Sequence, residues 1–298
     1  MGENSYIYSH HVFLEDDQVK DVVLPEGVHL EGTTLSFDEG KYDLHVVISL
    51  HHDGELHYHF AKNTTVNLVE TRTLADNVKL SRTFKVDENA HINIFNENES
   101  VNQAAIHFDD QGVVGRDASF HLGYAELSDG SLDANYNFVL AGTNANMKLR
   151  MAALSKLEEK KHYTVNIEHH APYTYGIMDN YGVAKDAGSM TIDGIGTIKK
   201  GMHKSESHQT NKIMVFDEAS RASANPYLYI DDYDVQASHA AGVGRMDENH
   251  LYYLQSRGLT KRQAMQLITY GYLKPVIDVV DNPMIKERFE KVLGKVGA

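Results

Sequence analysis

The sequence has no cysteine. Disulfides, thiolate metal sites and a cysteine nucleophile are therefore excluded together. An iron–sulfur cluster held by this chain's own thiolates is excluded as well. Tryptophan is also missing, and proline occurs only five times in 298 residues. Proline inside a central strand removes a ladder hydrogen bond, so its scarcity suits dense sheet. No apolar run approaches the roughly 20 residues that a membrane span needs. The first 30 residues show no signal-peptide pattern. A cytoplasmic protein without membrane contact is expected. Positive charge is in short supply too: 28 Lys and Arg stand against 42 Asp and Glu, for a net charge of −14. A chain this acidic repels phosphate backbones, and nucleic acid is not an expected partner.

What is present is a soluble globular composition, 42% hydrophobic and 23% charged. Residues 1–245 read as β almost throughout. "HINIF" (91–95), "ASFHLGYAEL" (118–127), "NYNFVL" (135–140), "HYTVNIEH" (162–169), "SMTIDGIGTI" (189–198), "KIMVF" (212–216) and "YLYIDDYDV" (227–235) alternate in period two. Asp-Gly at 53–54, 129–130 and 193–194 is expected to mark turns with positive φ. The segments leave no room for crossover helices, which argues against a doubly wound α/β fold. A large β-sandwich, a barrel and a coiled β-helix remain. So many strands without a closing Trp or Cys signature tilt the choice towards the β-helix.

After Arg245 the pattern changes. Asp247 is a suitable N-cap for a helix over about 248–257, and Gly258 fits the left-handed position that ends it. Thr260 and Gln263 form a capping box for a second helix through about Leu273. Ala264, Leu267, Ile268 and Tyr272 give that helix an apolar stripe, and Pro275 should kink or end it. Asn282-Pro283 then opens a third helix to about Leu293, with Ile285, Phe289 and Leu293 on one side. The expected organisation is a core over 1–245, its first 20 or so residues a lead-in, and a helical unit over 246–298. From His250 onwards Lys and Arg number eight against four Asp and Glu. Such a basic tail on an acidic body suits an acidic partner or a plain solvated helix face.

Histidine is abundant, with 18 copies. His57 and His59 share a strand face and could make a metal pair, but a closed zinc site needs three or four converging ligands. Solvated polar strand residues are the plainer reading. Gly242-Val-Gly244 lacks the third glycine of a dinucleotide loop, and Asp247 and Glu248 would repel a phosphate. A tight strand-to-helix turn is expected there. His239 sits between Ser238 and Ala240 at the end of the last strand, where small neighbours allow close approach.

The stretch "SHAAGVGRMDENHLYYLQSRGLTKRQAMQLITYGYL" resembles the C-terminal signature of the SufB/SufD family, the paired scaffold subunits of the SUF iron–sulfur cluster assembly machinery. "HQTNKIMVFDEAS" (208–220) and "NPYLYIDDYDVQASH" (225–239) resemble the family's last β-helix rungs, and "VVLPEGVHLEG" (22–32) its lead-in to the core. The resemblance implies a mainly β fold: a right-handed parallel β-helix core with a small C-terminal α-helical unit. It implies three kinds of partner or cargo: a B-type scaffold subunit, a SufC-type ATPase, and a transient iron–sulfur cluster at the junction of the two scaffolds. No cofactor is expected to stay on this chain alone. Asn211 stands where the B-type pattern has its essential cysteine, and Ser238 and Ala240 replace the B-type glutamates beside the histidine. Both point to the D type. Departures from that type are Ala237 for its usual Cys and Ala240-Ala241-Gly242 for its usual Gly-Ala-Thr. The helical N-terminal region common in the family has no counterpart, since β pattern begins within about 25 residues.

On this resemblance the expected function is a non-enzymatic scaffold. His239 is the cluster-interface residue and the one candidate metal ligand. Asp247, Leu251, Tyr252, Leu254, Arg257 and Gly258 mark the ATPase-docking region. Two alternatives stand beside it: a homodimeric scaffold without a B-type partner, and a β-helix polysaccharide hydrolase or lyase.

Overall fold

The computed structural model describes residues 6–16, 18–100, 103–277, 283, 286 and 287. The chain winds as a parallel β-helix with two sheets. Its early strands are β1 (His11–Glu15), β2 (Gln18–Val23), β3 (Val28–Glu31), β4 (Thr34–Phe37), β5 (Lys41–Leu50), β6 (Gly54–Phe60), β7 (Thr65–Leu74), β8 (Val78–Val86) and β9 (His91–Ser100). There follow β10 (Ile106–Val114), β11 (Ser119–Glu126), β12 (Leu132–Leu140), β13 (Asn146–Ser155), β14 (Lys160–His169), β15 (Tyr175–Ala184), β16 (Ser189–Ile198), β17 (Glu206–Val215), β18 (Arg221–Ile230) and β19 (Gln236–Arg245). Two helices end the described chain, α1 (Glu248–Ser256) and α2 (Lys261–Ile277). Sheet A runs β19-β17-β15-β13-β11-β9-β7-β5-β1-β2, and sheet B runs β18-β16-β14-β12-β10-β8-β6-β4-β3. Only β1–β2 and β3–β4 pair antiparallel; these hairpins close the N-terminal end. The expected third helix lies outside the described residues, apart from isolated positions. No helix among the described residues is long and apolar enough to cross a membrane.

One corner of each rung repeats a local conformation. Asn63, Asn89, Asp117, Asn144, Tyr173 and Lys204 all have φ near +60°. Asn and Asp tolerate this left-handed region better than other non-glycine residues. Each is followed by a small buried residue: Thr64, Ala90, Ala118, Ala145, Thr174 and Ser205. The column is tied by side-chain bonds, such as Asn89 Nδ2 to Asn63 Oδ1 at 2.9 Å and Asn144 Nδ2 to Asp117 Oδ1 at 2.9 Å. Sequence offsets between stacked residues range from 23 (Thr34 to His57) to 34 (His11 to His45), so the period drifts. The turn reading of Asp-Gly is corrected here. Only Gly130 has a positive φ, at 96°. Gly54 opens β6, and Gly194 lies inside β16, where a Cβ would come within 2.6 Å of Asn211 Nδ2. The segment 227–235 is likewise not one strand: β18 ends at Ile230 and the rest forms a corner.

Alternate residues point into the bore, which is packed with aromatics. Phe37 and Phe60 stack at 4.9 Å, Tyr58 and Phe84 at 5.2 Å, and Tyr124 and Tyr136 at 4.3 Å between ring centres. Inward positions of the middle rungs also carry charge. The Arg82 Nε–H donates to Asp110 Oδ1 at 2.8 Å, and its other nitrogens reach Asp110 Oδ2, Glu70 Oε1 at 2.5 Å and Asn96 Oδ1 at 2.6 Å. Arg72 donates to Glu126 Oε1 at 3.2 Å and lies 4.2 Å over the Phe108 ring. Tyr58, Tyr124 and Tyr136 donate to Glu70, Asp110 and Glu126. Both arginines and these carboxylates have no exposed surface. A one-residue slip would turn Arg82 outward and strand its two acids, so the network pins register.

A second apolar layer lies outside sheet A. Leu273 and Val276 of α2 pack with Val69, Phe95, Ala152 and Leu154, and Ile7 joins them. The helix does not stop before Pro275 as expected; it continues to Ile277. The apolar stripe is also corrected. Ala264 is buried and Tyr272 packs against Tyr181 of β15, but Leu267 is half exposed, and the buried body-facing residues are Thr269, Leu273 and Val276. Leu267 faces the groove towards α1 instead.

Removing one member of a buried ion cluster leaves the others uncompensated. Arg82→Met should lower the unfolding free energy by about 3–5 kcal/mol, as measured by urea denaturation.

Candidate functional site

The C-terminal end of the β-helix is open. β18 and β19 are the outermost strands of their sheets, and every residue of β19 is exposed. No strand among the described residues meets their outer backbone groups, which makes the edge a template for another chain.

Register fixes what faces where. In β17 the odd-numbered residues point inward, as the burial of Ser207, Gln209, Asn211 and Ile213 shows. β19 pairs with β17 so that Gln209 meets His239 and Asn211 meets Ala241. Ser238 meets His208 on the outer face, with Nδ1 and Oγ 2.7 Å apart. His239 therefore stands on the inward side of the last rung, uncovered because no rung follows. It lies fourth in its strand, not at the strand's end as expected. Asn211 lies on the same face one rung earlier, a diagonal neighbour of His239. Asn211 is fully buried and accepts from Asn180 Nδ2 at 2.8 Å.

Beneath this end the bore becomes polar. Gln209 Nε2 donates to the Tyr227 carbonyl at 2.8 Å. Gly194 and Gly196 face these amides, and a Cβ at 196 would lie 2.7 Å from Gln209 Nε2. His169 is buried at the end of β14, with Nδ1 2.7 Å from Thr174 Oγ1. The Thr174 hydroxyl in turn contacts the Ala171 carbonyl at 3.1 Å and Ser205 Oγ at 2.8 Å. Its Nε2 is buried without a protein partner. Burial, helped by neighbouring His170, pushes the His169 pKa down to about 4. Sequence reasoning missed Gln209, Asn180 and His169. Their only signal was parity within strands whose partners were not yet known.

Gly242 and Gly244 do not form the expected strand-to-helix turn. Both lie within β19 on its outer face, with nothing within 4 Å of a Cβ there. The turn itself is shorter, Met246 and Asp247. Asp247 caps α1 by accepting the Asn249 N–H at 2.9 Å, and Gly258 ends it with φ of 97°. The Thr260–Gln263 box forms reciprocally, at 2.9 and 3.2 Å. α1 buries none of its residues. Tyr252 is 75% exposed, and Arg257 lies 5.2 Å over the Tyr253 ring. Leu254 lines a groove of about 420 Å³ between α1, α2 and Met214 of β17; Leu251 is half-buried. Arg245 joins the two regions: β19 ends there, two residues before the cap of α1.

His57 and His59 do not build a metal site. His57 Nδ1 bonds to Thr83 Oγ1 at 2.7 Å, while His59 Nε2 bonds to Asp87 at 2.8 Å. Among the described residues no three His, Asp or Glu are placed to hold a metal. His239 alone supplies one nitrogen donor at an open edge. That chemistry suits a site shared with another chain and not a self-contained one.

Known proteins resemble the chain along this same region. Residues 41–272 match the family model described as SUF system FeS cluster assembly, SufBD core domain. The iron-sulfur cluster assembly protein SufD of Bacillus subtilis is 33% identical over 179 residues, 60% of this chain and 41% of that protein. SufD of Escherichia coli is 25% identical over 179 residues, 60% of this chain and 40% of that one. A SufBD family protein of Mycobacterium bovis is 30% identical over 137 residues, 46% of this chain and 16% of that protein. The matched region thus spans about two-fifths of the length of the SufD relatives.

The low His169 pKa has a consequence for stability. The native ring stays neutral down to about pH 4, while the unfolded ring takes a proton below about 6.5. Stability should therefore fall as pH drops from 6.5 towards 4, by roughly 3 kcal/mol in all. Urea denaturation of wild type and His169→Gln across this window should show that the variant lacks this part of the acid sensitivity.

Proposed function

The chain belongs to the SufB/SufD family, and from that premise we propose that it is a D-type, non-enzymatic scaffold subunit for assembling iron–sulfur clusters. The observation that carries the proposal is the open last rung, with His239 on its inward side and none of the described residues covering it. A nascent cluster is the cargo at that edge. A chain without cysteine can give it only nitrogen or oxygen ligands. The thiolates come from a B-type partner whose own sheet edge meets β18 and β19. Asn211, in the place of the B-type cysteine, supports the D-type assignment. It is a buried amide bonded to Asn180, and a ligand there would have to leave that bond.

The second contact surface is the helical unit. α1 stands off the body with Tyr252 exposed, and beside it runs a groove walled by Leu254 and Leu267. This surface fits the SufC-type ATPase. Asp247, Leu251, Arg257 and Gly258 shape and cap the docking helix. Because β19 runs into α1 within two residues, movement of the helices is passed directly to the strand that carries His239. The working place of such a complex is the cytoplasm.

A homodimer is the second reading, favoured by the same feature. An unpaired edge strand can pair with a copy of itself across a two-fold axis. Sizing of the chain alone, then with a B-type subunit, separates the two. A homodimer that persists and refuses the partner favours the second reading.

His239→Ala should lower cluster yield in the reconstituted complex, with fold and ATPase binding unchanged. Loss of a ligand should cost at least the roughly tenfold that even outer-shell changes cost. Cluster absorbance reads this, and an unchanged yield removes the role given to His239. Tyr252→Ala should weaken ATPase binding by about 2 kcal/mol, or near 30-fold in Kd, by calorimetric titration.

A further inference from the structure

The interior of the middle rungs holds more negative than positive charge. Arg72, Arg82 and Lys161 lie with Glu70, Asp110 and Glu126, while Glu159 sits in the corner before β14 beside Lys161, and none of the seven is more than 3% exposed. Four carboxylates against three cations leave one negative charge unmatched in a water-poor interior. An isolated ion there is so costly that a group takes up a proton instead. One proton thus belongs to the network.

The geometry selects the carboxyl that holds it. Asp110 takes the two-pronged fork of Arg82 and the Tyr124 hydroxyl. Glu70 takes Arg82 and the Tyr58 hydroxyl. Glu159 accepts two backbone N–H groups, from Gly130 at 3.0 Å and Lys156 at 2.9 Å, with Lys161 at 3.9 Å. Glu126 has a single guanidinium N–H, from Arg72 at 3.2 Å, and the Tyr136 hydroxyl at 2.8 Å, both on Oε1. Among the described residues its Oε2 has one hydrogen-bond partner, the amide of Asn98. A primary amide can donate or accept at the same place, because its oxygen and nitrogen have nearly the same shape. We propose that Glu126 is a buried proton-binding site, neutral in the native protein, with Asn98 accepting from the protonated form and donating to the ionised one.

The groups that face Glu126 are Arg72 from β7, Asn98 from β9, Asp110 from β10, Tyr124 on its own strand, Tyr136 from β12, and Lys161 and Tyr163 from β14. Burial, opposed by Arg72, Tyr136 and Lys161 and aided by Asp110, raises its pKa above the usual carboxylate value. The sign follows. Native protein keeps a proton that the unfolded chain releases above its ordinary pKa. That stabilisation is complete below the unfolded value and is lost as pH rises through the raised native one.

Glu126→Gln keeps the shape and the neutral form but cannot titrate. The folding constant of wild type relative to Glu126→Gln should fall by up to about tenfold per pH unit above the unfolded pKa. Urea denaturation of both proteins from mildly acidic to mildly alkaline pH reads this. Parallel profiles overturn the proposal. Infrared spectroscopy gives a second reading that does not depend on the variant folding. Wild type at neutral pH should show the carbonyl stretch of a protonated carboxylic acid. No such band overturns the proposal, and a band that persists in folded Glu126→Gln overturns the assignment to this residue.

Discussion

The backbone of each rung hydrogen-bonds only to the rung before it and the rung after it. The inward side chains of one rung lie on those of the next, so neighbours in the stack must satisfy whatever a rung turns inward. Where the rungs turn in Phe, Tyr and Leu, the requirement is met by packing. Where they turn in Arg72 and Arg82, it is met by acids drawn from β7, β10 and β11. Such a cluster adds little net stability over a well-packed apolar core, because desolvation offsets most of the attraction. Its contribution is register. A shifted rung would lose aromatic contacts gradually, but it would lose charge compensation at once.

The same constraint decides what happens at the ends. A solenoid made of parallel strands must either cover its terminal rungs or leave them unpaired. At the N-terminal end the chain reverses twice, and the hairpins β1–β2 and β3–β4 close the stack. At the other end nothing reverses. β19 passes straight into α1, and its small residues Ala237, Ala240, Ala241 and Gly242 leave the last rung low and accessible. The open edge and the helical unit are thus two neighbouring surfaces produced by one continuous segment.

Much of the fold was legible in the sequence. β12, β14 and β16 alternate cleanly, because one face of each packs inward and the other meets solvent. The helix caps at Asp247 and Thr260 are local chemistry and read directly. Other elements were masked by their surroundings. β13 and β15 turn both faces into protein where α2 covers sheet A, so "RMAALS" and "NYGVA" lose the alternation. The repeat was hidden because its marker is a conformation, the left-handed corner, filled by Asn, Asp, Tyr or Lys at drifting intervals. The stripe of α2 was misassigned for a related reason. Leu267 is apolar for the groove with α1, which no periodicity argument on a single helix distinguishes from the body. At the open edge, the parity that sets Gln209 beside His239 and Asn180 beside Asn211 was not legible.

The sequence alone determined the chemistry this chain can offer: no thiolate, a histidine among small residues, and a β body that changes to helix after Arg245. Those facts depend on residue type and near neighbours, which the linear order contains. Only the tertiary structure decided that His239 and Asn211 share an inward face, that Gly242 and Gly244 belong to a strand, and that seven charged residues, four acids and three bases, meet in the interior. Each of these depends on which rung lies against which. That register is set by contacts some 23 to 34 residues apart, whose offset is not constant along the chain.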